Sequence, residues 1–111
     1  MNGTRTINLF ISQPMRGFSD EEIKRVRKQT TGDALVKAAD YYQTSVHDVE
    51  IMDTILNDFD SSVHPLVYLG ESVKKLADAD IVYFARGWQD ARGCVIEHEC
   101  AQKYGKACIY Y

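Results

Sequence analysis

The last quarter of the chain constrains the fold most. From Asp78 onward it reads as strand, glycine turn, helix and strand in one unbroken unit. Ile81-Val82-Tyr83-Phe84 is a short apolar run of strand type. Gly87-Trp88-Gln89-Asp90-Ala91-Arg92-Gly93 is a polar turn, and the helix after it carries Glu97 in its second turn. Ala107-Cys108-Ile109-Tyr110 closes the unit as a second strand. Two strands joined through a helix pair in parallel, with a right-handed crossover. In open α/β sheets, ligands bind outside the carboxyl ends of the strands, where such turns lie. A carboxylate one helical turn beyond the glycine turn points into that crevice.

The front of the chain repeats the pattern. Ile7-Asn8-Leu9-Phe10-Ile11 is strand-like, and Ser12-Gln13-Pro14-Met15-Arg16-Gly17 follows directly as a loop. Ser19 with Glu22 forms a capping-box signature that opens a helix at Asp20. That helix is expected to reach Ala39 or Tyr42, with Ile23, Val26, Thr30, Ala34 and Ala38 on its apolar stripe. Gly32 within it costs about 1 kcal/mol relative to alanine and marks a kink or a close contact. Val49 to Asp53 is the expected second strand, and Asn57 to His64 is polar and turn-like. Pro65 suits the first position of a helix that runs to Ala77 through Leu66, Leu69, Val73 and Leu76. The order is βαβαβαβ, which predicts a mainly parallel sheet in one domain spanning 1–111.

Composition excludes several classes. A net charge of −3 speaks against a protein that coats a nucleic-acid polymer. No apolar run reaches membrane-spanning length and no signal-peptide pattern opens the chain, so the cytoplasm is the expected compartment. Cys94, Cys100 and Cys108 match no zinc or redox spacing and read as buried free thiols. His47, His64 and His98 are scattered, and neither a metal nor a cofactor is expected. The first loop lacks the glycines and lysine of a phosphate-binding P-loop and the dinucleotide fingerprint.

Candidate site residues each carry two readings. Glu97 has Gly93 at i−4 and Ala101 at i+4, so both neighbours on its face are small and leave room for an approaching group. Glu99 leaves the helix on roughly the opposite side and reads as solvated. Asp90 is either a helix N-cap or a ligand group. Arg92 contacts a phosphate or pairs with a surface carboxylate. Arg16, near a helix N-terminus, suits an anion. Met15 and Trp88 either sandwich a planar base or belong to the core or rim.

The stretches ISQPMRG and ADIVYFARGWQDARGCVIEHECAQKYGK resemble the nucleoside 2-deoxyribosyltransferase-like superfamily, and within it a small bacterial and phage branch. The resemblance covers both ends of the chain and the helix at Pro65. It implies a flavodoxin-like three-layer sandwich and cleavage or transfer of the N-glycosidic bond of a (deoxy)nucleoside or its 5′-monophosphate. It implies that Glu97 is the nucleophile and that Asp90 holds a sugar hydroxyl. The substrate would lie against Ser12, Gln13, Met15, Arg16, Gly17, Gly87, Trp88, Arg92 and Gly93. Two positions depart from the pattern: many relatives have glycine at Gln13 and serine at Arg92. The resemblance, the short chain and the aromatic residues (seven Tyr, four Phe, one Trp) lead us to expect a homo-oligomer through the Pro65 helix or the last helix. Three readings compete at this stage: an enzyme, a non-catalytic module that senses or sequesters a nucleotide-like ligand, and an assembly scaffold.

Overall fold

The short apolar runs become strands because each is bounded by polar turns and flanked by helices that cover it. A computed structural model describes residues 6–54 and 62–111. The elements are β1 (Ile7–Ser12), α1 (Asp20–Tyr42), β2 (Val49–Ile51), α2 (Pro65–Leu76), β3 (Ile81–Phe84), α3 (Arg92–Lys103) and β4 (Ala107–Tyr110). Short 3₁₀ turns occupy Val46–Asp48 and Trp88–Asp90. All strand pairs are parallel, in the order β2-β1-β3-β4.

Side chains alternate across the sheet with a period of two. Ile7, Leu9, Ile11, Ile81 and Tyr83 pack against Ala34, Ala38 and Ala39 of α1. Phe10, Val82 and Phe84 pack against Leu76 of α2 and Ala101 of α3. Thus α1 covers one face, α2 and α3 cover the other, and the domain is a flavodoxin-like three-layer sandwich. Leu9, Ile81, Val82 and Phe84 are fully buried, and each such side chain contributes about 1.5–3 kcal/mol.

From β1 the chain moves one way to β2, then crosses back over β1 to β3. The direction therefore reverses between β1 and β3, and their carboxyl ends form the switch point. Ser12 and Phe84 are paired there.

Local chemistry sets the helix starts. The Ser19 hydroxyl accepts from the Glu22 amide at 3.2 Å and the Glu22 carboxylate accepts from the Ser19 amide at 3.1 Å, completing the capping box. Pro65 opens α2, and His64 caps it by accepting from the Leu66 amide at 3.1 Å. α1 runs unbroken past Gly32, whose missing side chain faces open space, so no close contact occurs there.

Three boundaries differ from the sequence expectation. β2 stops at Ile51 instead of Asp53. Met52 still donates to the Leu9 carbonyl at 2.9 Å. Beyond it, the Thr54 hydroxyl takes the Ile11 carbonyl at 3.2 Å, and side chain replaces backbone in the ladder. α2 ends at Leu76, with Ala77 as its cap. α3 begins at Arg92, so Arg92 and Gly93 are helical and not part of the turn. Of the polar stretch from Asn57 to His64, positions 57–61 lie outside the described residues. Among the described residues, no helix is long and apolar enough to cross a membrane.

Candidate active site at the sheet switch point

Ser12 is the last residue of β1, and alternation sends its side chain to the α2/α3 face. It is 1% exposed, and its hydroxyl donates to Glu97 Oε1 at 2.7 Å. Ser72 of α2 donates its hydroxyl to Glu97 Oε2. Glu97, in the second turn of α3, is 7% exposed. The space left by its small neighbours is thus taken by α2. An added side-chain carbon at Gly93 would meet Leu69 of α2 at 3.9 Å, which is ordinary contact.

Burial pushes the Glu97 carboxyl above its ordinary value, while the Ser72 and Ser12 hydroxyls and the Arg27 charge pull it back. Burial outweighs them, so the site favours the neutral form more than water does. The Cys94 thiol, buried nearby, is pushed up to about 11 by burial, despite a contact with Ser12. It therefore stays protonated at neutral pH and is a poor nucleophile.

Gln13, one residue on, faces the α1 side. Its amide donates to the Ile23 carbonyl at 2.8 Å and its side-chain oxygen accepts from Arg27 Nε at 2.8 Å. Arg27 Nη2 donates to Thr54 Oγ1 at 2.9 Å and reaches the Ile11 carbonyl at 3.4 Å. Burial lowers the guanidinium to about 10, with the Asp53 and Glu97 charges opposing.

The other sequence candidates make separate contacts. Met15 is half-buried, while Arg16 and Gly17 are exposed in a turn closed by the Phe18 amide on the Met15 carbonyl at 3.1 Å. Gly87 adopts φ 83, the left-handed region that favours glycine. Trp88 packs on Phe84, His98 and Tyr110, with ring centroids 5.2, 4.4 and 5.8 Å away. Trp88, His98 and Tyr110, with Arg86, Gly87, Gln89 and Tyr111, line a shallow depression of about 380 Å³. Asp90 is exposed in the 3₁₀ turn, and the N-cap position of α3 falls to Ala91 with no side-chain cap. Arg92 is exposed in the first turn of α3. Glu99 is exposed and lies 4.0 Å from Lys103, a surface pair worth at most about 1 kcal/mol.

Sequence reasoning passed over three residues of this cluster: Ser72, Arg27 and Thr54. The first two carried a signal. Ser72 lies on the inward stripe Leu69, Ser72, Val73, Leu76, and Arg27 lies at i+4 from Ile23. A polar group on an apolar helix face needs a partner, and both have one. His98 bonds the Tyr110 hydroxyl through Nε2 at 2.8 Å and His64 caps α2. Among the described residues, no cluster of His, Cys, Asp and Glu is arranged to hold a metal.

Fold and site together define a class: an open parallel α/β sandwich with a hydrogen-bonded carboxylate buried at its switch point. Residues 7–110 match the model of a family described as a domain of unknown function (DUF4406). The chain belongs to that family. No curated protein and no solved structure matches it.

Proposed function

We propose that this protein cleaves or transfers the N-glycosidic bond of a (deoxy)nucleoside or its 5′-monophosphate, with Glu97 as nucleophile. The observation that carries the reading is the Glu97 carboxylate, held by Ser12 and Ser72 at the carboxyl ends of β1 and β3. A carboxylate offers about four lone-pair positions, and the two hydroxyls use two. Each oxygen keeps a pair for attack. That pair forms a bond to the anomeric carbon, and the C–N bonding pair leaves with the base, which takes up a proton. Water or a second base then displaces the glycosyl ester. The serines hold the carboxylate in one orientation before substrate arrives, which lowers the entropic part of the barrier.

In this reading Asp90 positions a sugar hydroxyl or protonates the leaving base. Arg16 or Arg92 neutralises a 5′-phosphate, beside the uncapped N-terminus of α3. Met15, Gly17, Gly87, Trp88 and Gly93 border the substrate, whereas Gln13, turned to the α1 side and held by Arg27, supports the loop from behind. A homo-oligomer fits the exposed Leu66 and Val67 of α2 and Val95 of α3. Three free cysteines fit the cytoplasm.

One observation favours a second reading, a binding module without turnover: both Glu97 oxygens are already engaged and the residue is nearly closed to solvent.

The test is a screen of nucleosides and their 5′-monophosphates, with free base measured by chromatography. Wild type should release base. Glu97→Gln should lose several powers of ten in rate, on the order of 4 kcal/mol or more of barrier. Glu99→Gln should stay near wild type. A Glu97→Gln variant that keeps the wild-type rate removes the nucleophile assignment. A ligand that raises the melting temperature without base release moves the conclusion to the binding module.

A further inference from the structure

Arg27 is an unusual occupant of α1. It lies on the face that meets the sheet, and beside the Asp53 charge it donates to three neutral acceptors: the Gln13 amide oxygen, the Ile11 carbonyl and the Thr54 hydroxyl. A guanidinium placed only for packing or as a surface ion pair has little reason to gather these three. What they share is position. Ile11 and Gln13 flank Ser12 in the chain, and Thr54 bonds the same Ile11 carbonyl at 3.2 Å. Arg27 thus grips the backbone on one side of Ser12 and the side chain on the other. Ser12 is the residue that donates to Glu97 at 2.7 Å.

We propose that Arg27 is a positioning residue for Glu97, acting from the opposite face of the sheet. Its fork fixes the end of β1 so that Ser12 meets the carboxylate, and its positive charge helps keep that buried carboxylate ionised. The inference rests on the reading of Glu97 as the working group. Among the described residues, Ser12 from β1, Ser72 from α2 and Cys94 from α3 act on Glu97 from its own side of the sheet, and the Arg27 charge acts on it from the α1 side. Arg27 is the one cation in that set. Asp53 in turn faces Arg27 and supports its charge. The fork geometry explains why arginine stands there: lysine has three donors on one point and cannot span the three acceptors together.

The experiment follows the side-chain carboxyl carbon of Glu97 by ¹³C NMR through a pH titration. The resonance is assigned by its loss in Glu97→Gln. Expected is an upward shift of the midpoint in Arg27→Gln, with thermal unfolding confirming a folded domain. A merely structural role would change the melting temperature and leave the midpoint in place. Should Arg27→Gln not fold, Arg27→Lys replaces it. Lysine keeps the charge but loses the fork, and the midpoint should rise by a smaller amount. An unchanged Glu97 midpoint in a folded variant overturns the proposal. The titration needs no turnover, so it stands apart from the fate of the glycosidic reading. Where base is released, the acid limb of the pH–rate profile should move in the same direction as the NMR midpoint.

Discussion

Replacing Glu97 by glutamine should make the protein more stable at neutral pH. The glutamine side chain would fill the same volume, so no cavity term arises. Its oxygen still accepts from one serine, and its amide donates to the other hydroxyl. What changes is the charge. Two hydrogen bonds to a carboxylate become two neutral ones, a loss of about 1 kcal/mol each. Against this, a carboxylate no longer has to leave water, a penalty of several kcal/mol per buried ion. The direction of the balance is already visible in Glu97 itself. Burial raises its carboxyl even though Ser72, Ser12 and Arg27 all oppose it. The net gain for glutamine is on the order of 1 kcal/mol, or about 4 °C in melting temperature for a chain of this size.

The gain must depend on pH. Folding raises the carboxyl, so the folded state binds the proton more tightly than the unfolded chain does. Wild type carries no charge-burial cost below the ordinary value of 4.5, and the full cost once pH exceeds the raised folded value. Denaturant unfolding of both proteins at pH 4 and pH 8 measures this. Glu97→Gln should exceed wild type at pH 8 and converge on it at pH 4. A variant less stable than wild type at pH 8, or a difference that ignores pH, would refute the reasoning and make Glu97 an ordinary structural hydrogen-bond acceptor.

Two further outcomes follow from the same geometry. Ser72→Ala removes the hydroxyl that donates to Glu97 Oε2 and should cost about 1–2 kcal/mol at pH 8. The loss should shrink as Glu97 protonates, and unfolding at pH 4 and pH 8 reads it. Gly87→Ala should cost about 1–2 kcal/mol from the left-handed backbone alone, seen as a lower melting temperature. The added carbon would meet Pro14 at 3.8 Å, an ordinary contact, so a much larger loss would mean that the turn is held by something else.

The sheet was legible because its signals are local. β1, β3 and β4 are apolar runs bounded by turns, and the Ser19–Glu22 box and Pro65 mark helix starts within a few residues. Glu97 stood out by its small neighbours. The groups that make it a site were less visible, because each is defined by partners far along the chain. Ser12 and Glu97 are 85 residues apart, and Ser72 and Glu97 are 25 apart. Ser72 sat in plain view on the apolar stripe of α2, but a serine between Leu69 and Val73 passes for a neutral helix residue until its acceptor is known. Arg27 was hidden by its neighbours: with Lys24, Arg25 and Lys28 around it, one inward cation looks like part of a solvated face. The early end of β2 was not legible at all. It depends on the Thr54 side chain competing for the Ile11 carbonyl. Trp88 belongs to the same class, since its partners His98 and Tyr110 come from α3 and β4.

The sheet also explains how one residue can be tuned from both sides. Ser12 and Gln13 are consecutive, so the pleat sends them to opposite faces. Ser12 reaches α3 through Glu97, and Gln13 reaches α1 through Arg27. One peptide unit therefore joins a carboxylate in one outer layer to a guanidinium in the other. Glu97 and Ser72 then give a sharp contrast, because they are two ends of one hydrogen bond. If that bond existed only to hold α2 against α3, deleting the Ser72 hydroxyl or weakening the bond by neutralising Glu97 would each lower stability. Burial of the Glu97 charge predicts opposite signs: Ser72→Ala destabilises at pH 8, whereas Glu97→Gln stabilises. On the reading of Glu97 as the working group, the gain on neutralising it measures what the fold gives up to keep that charge.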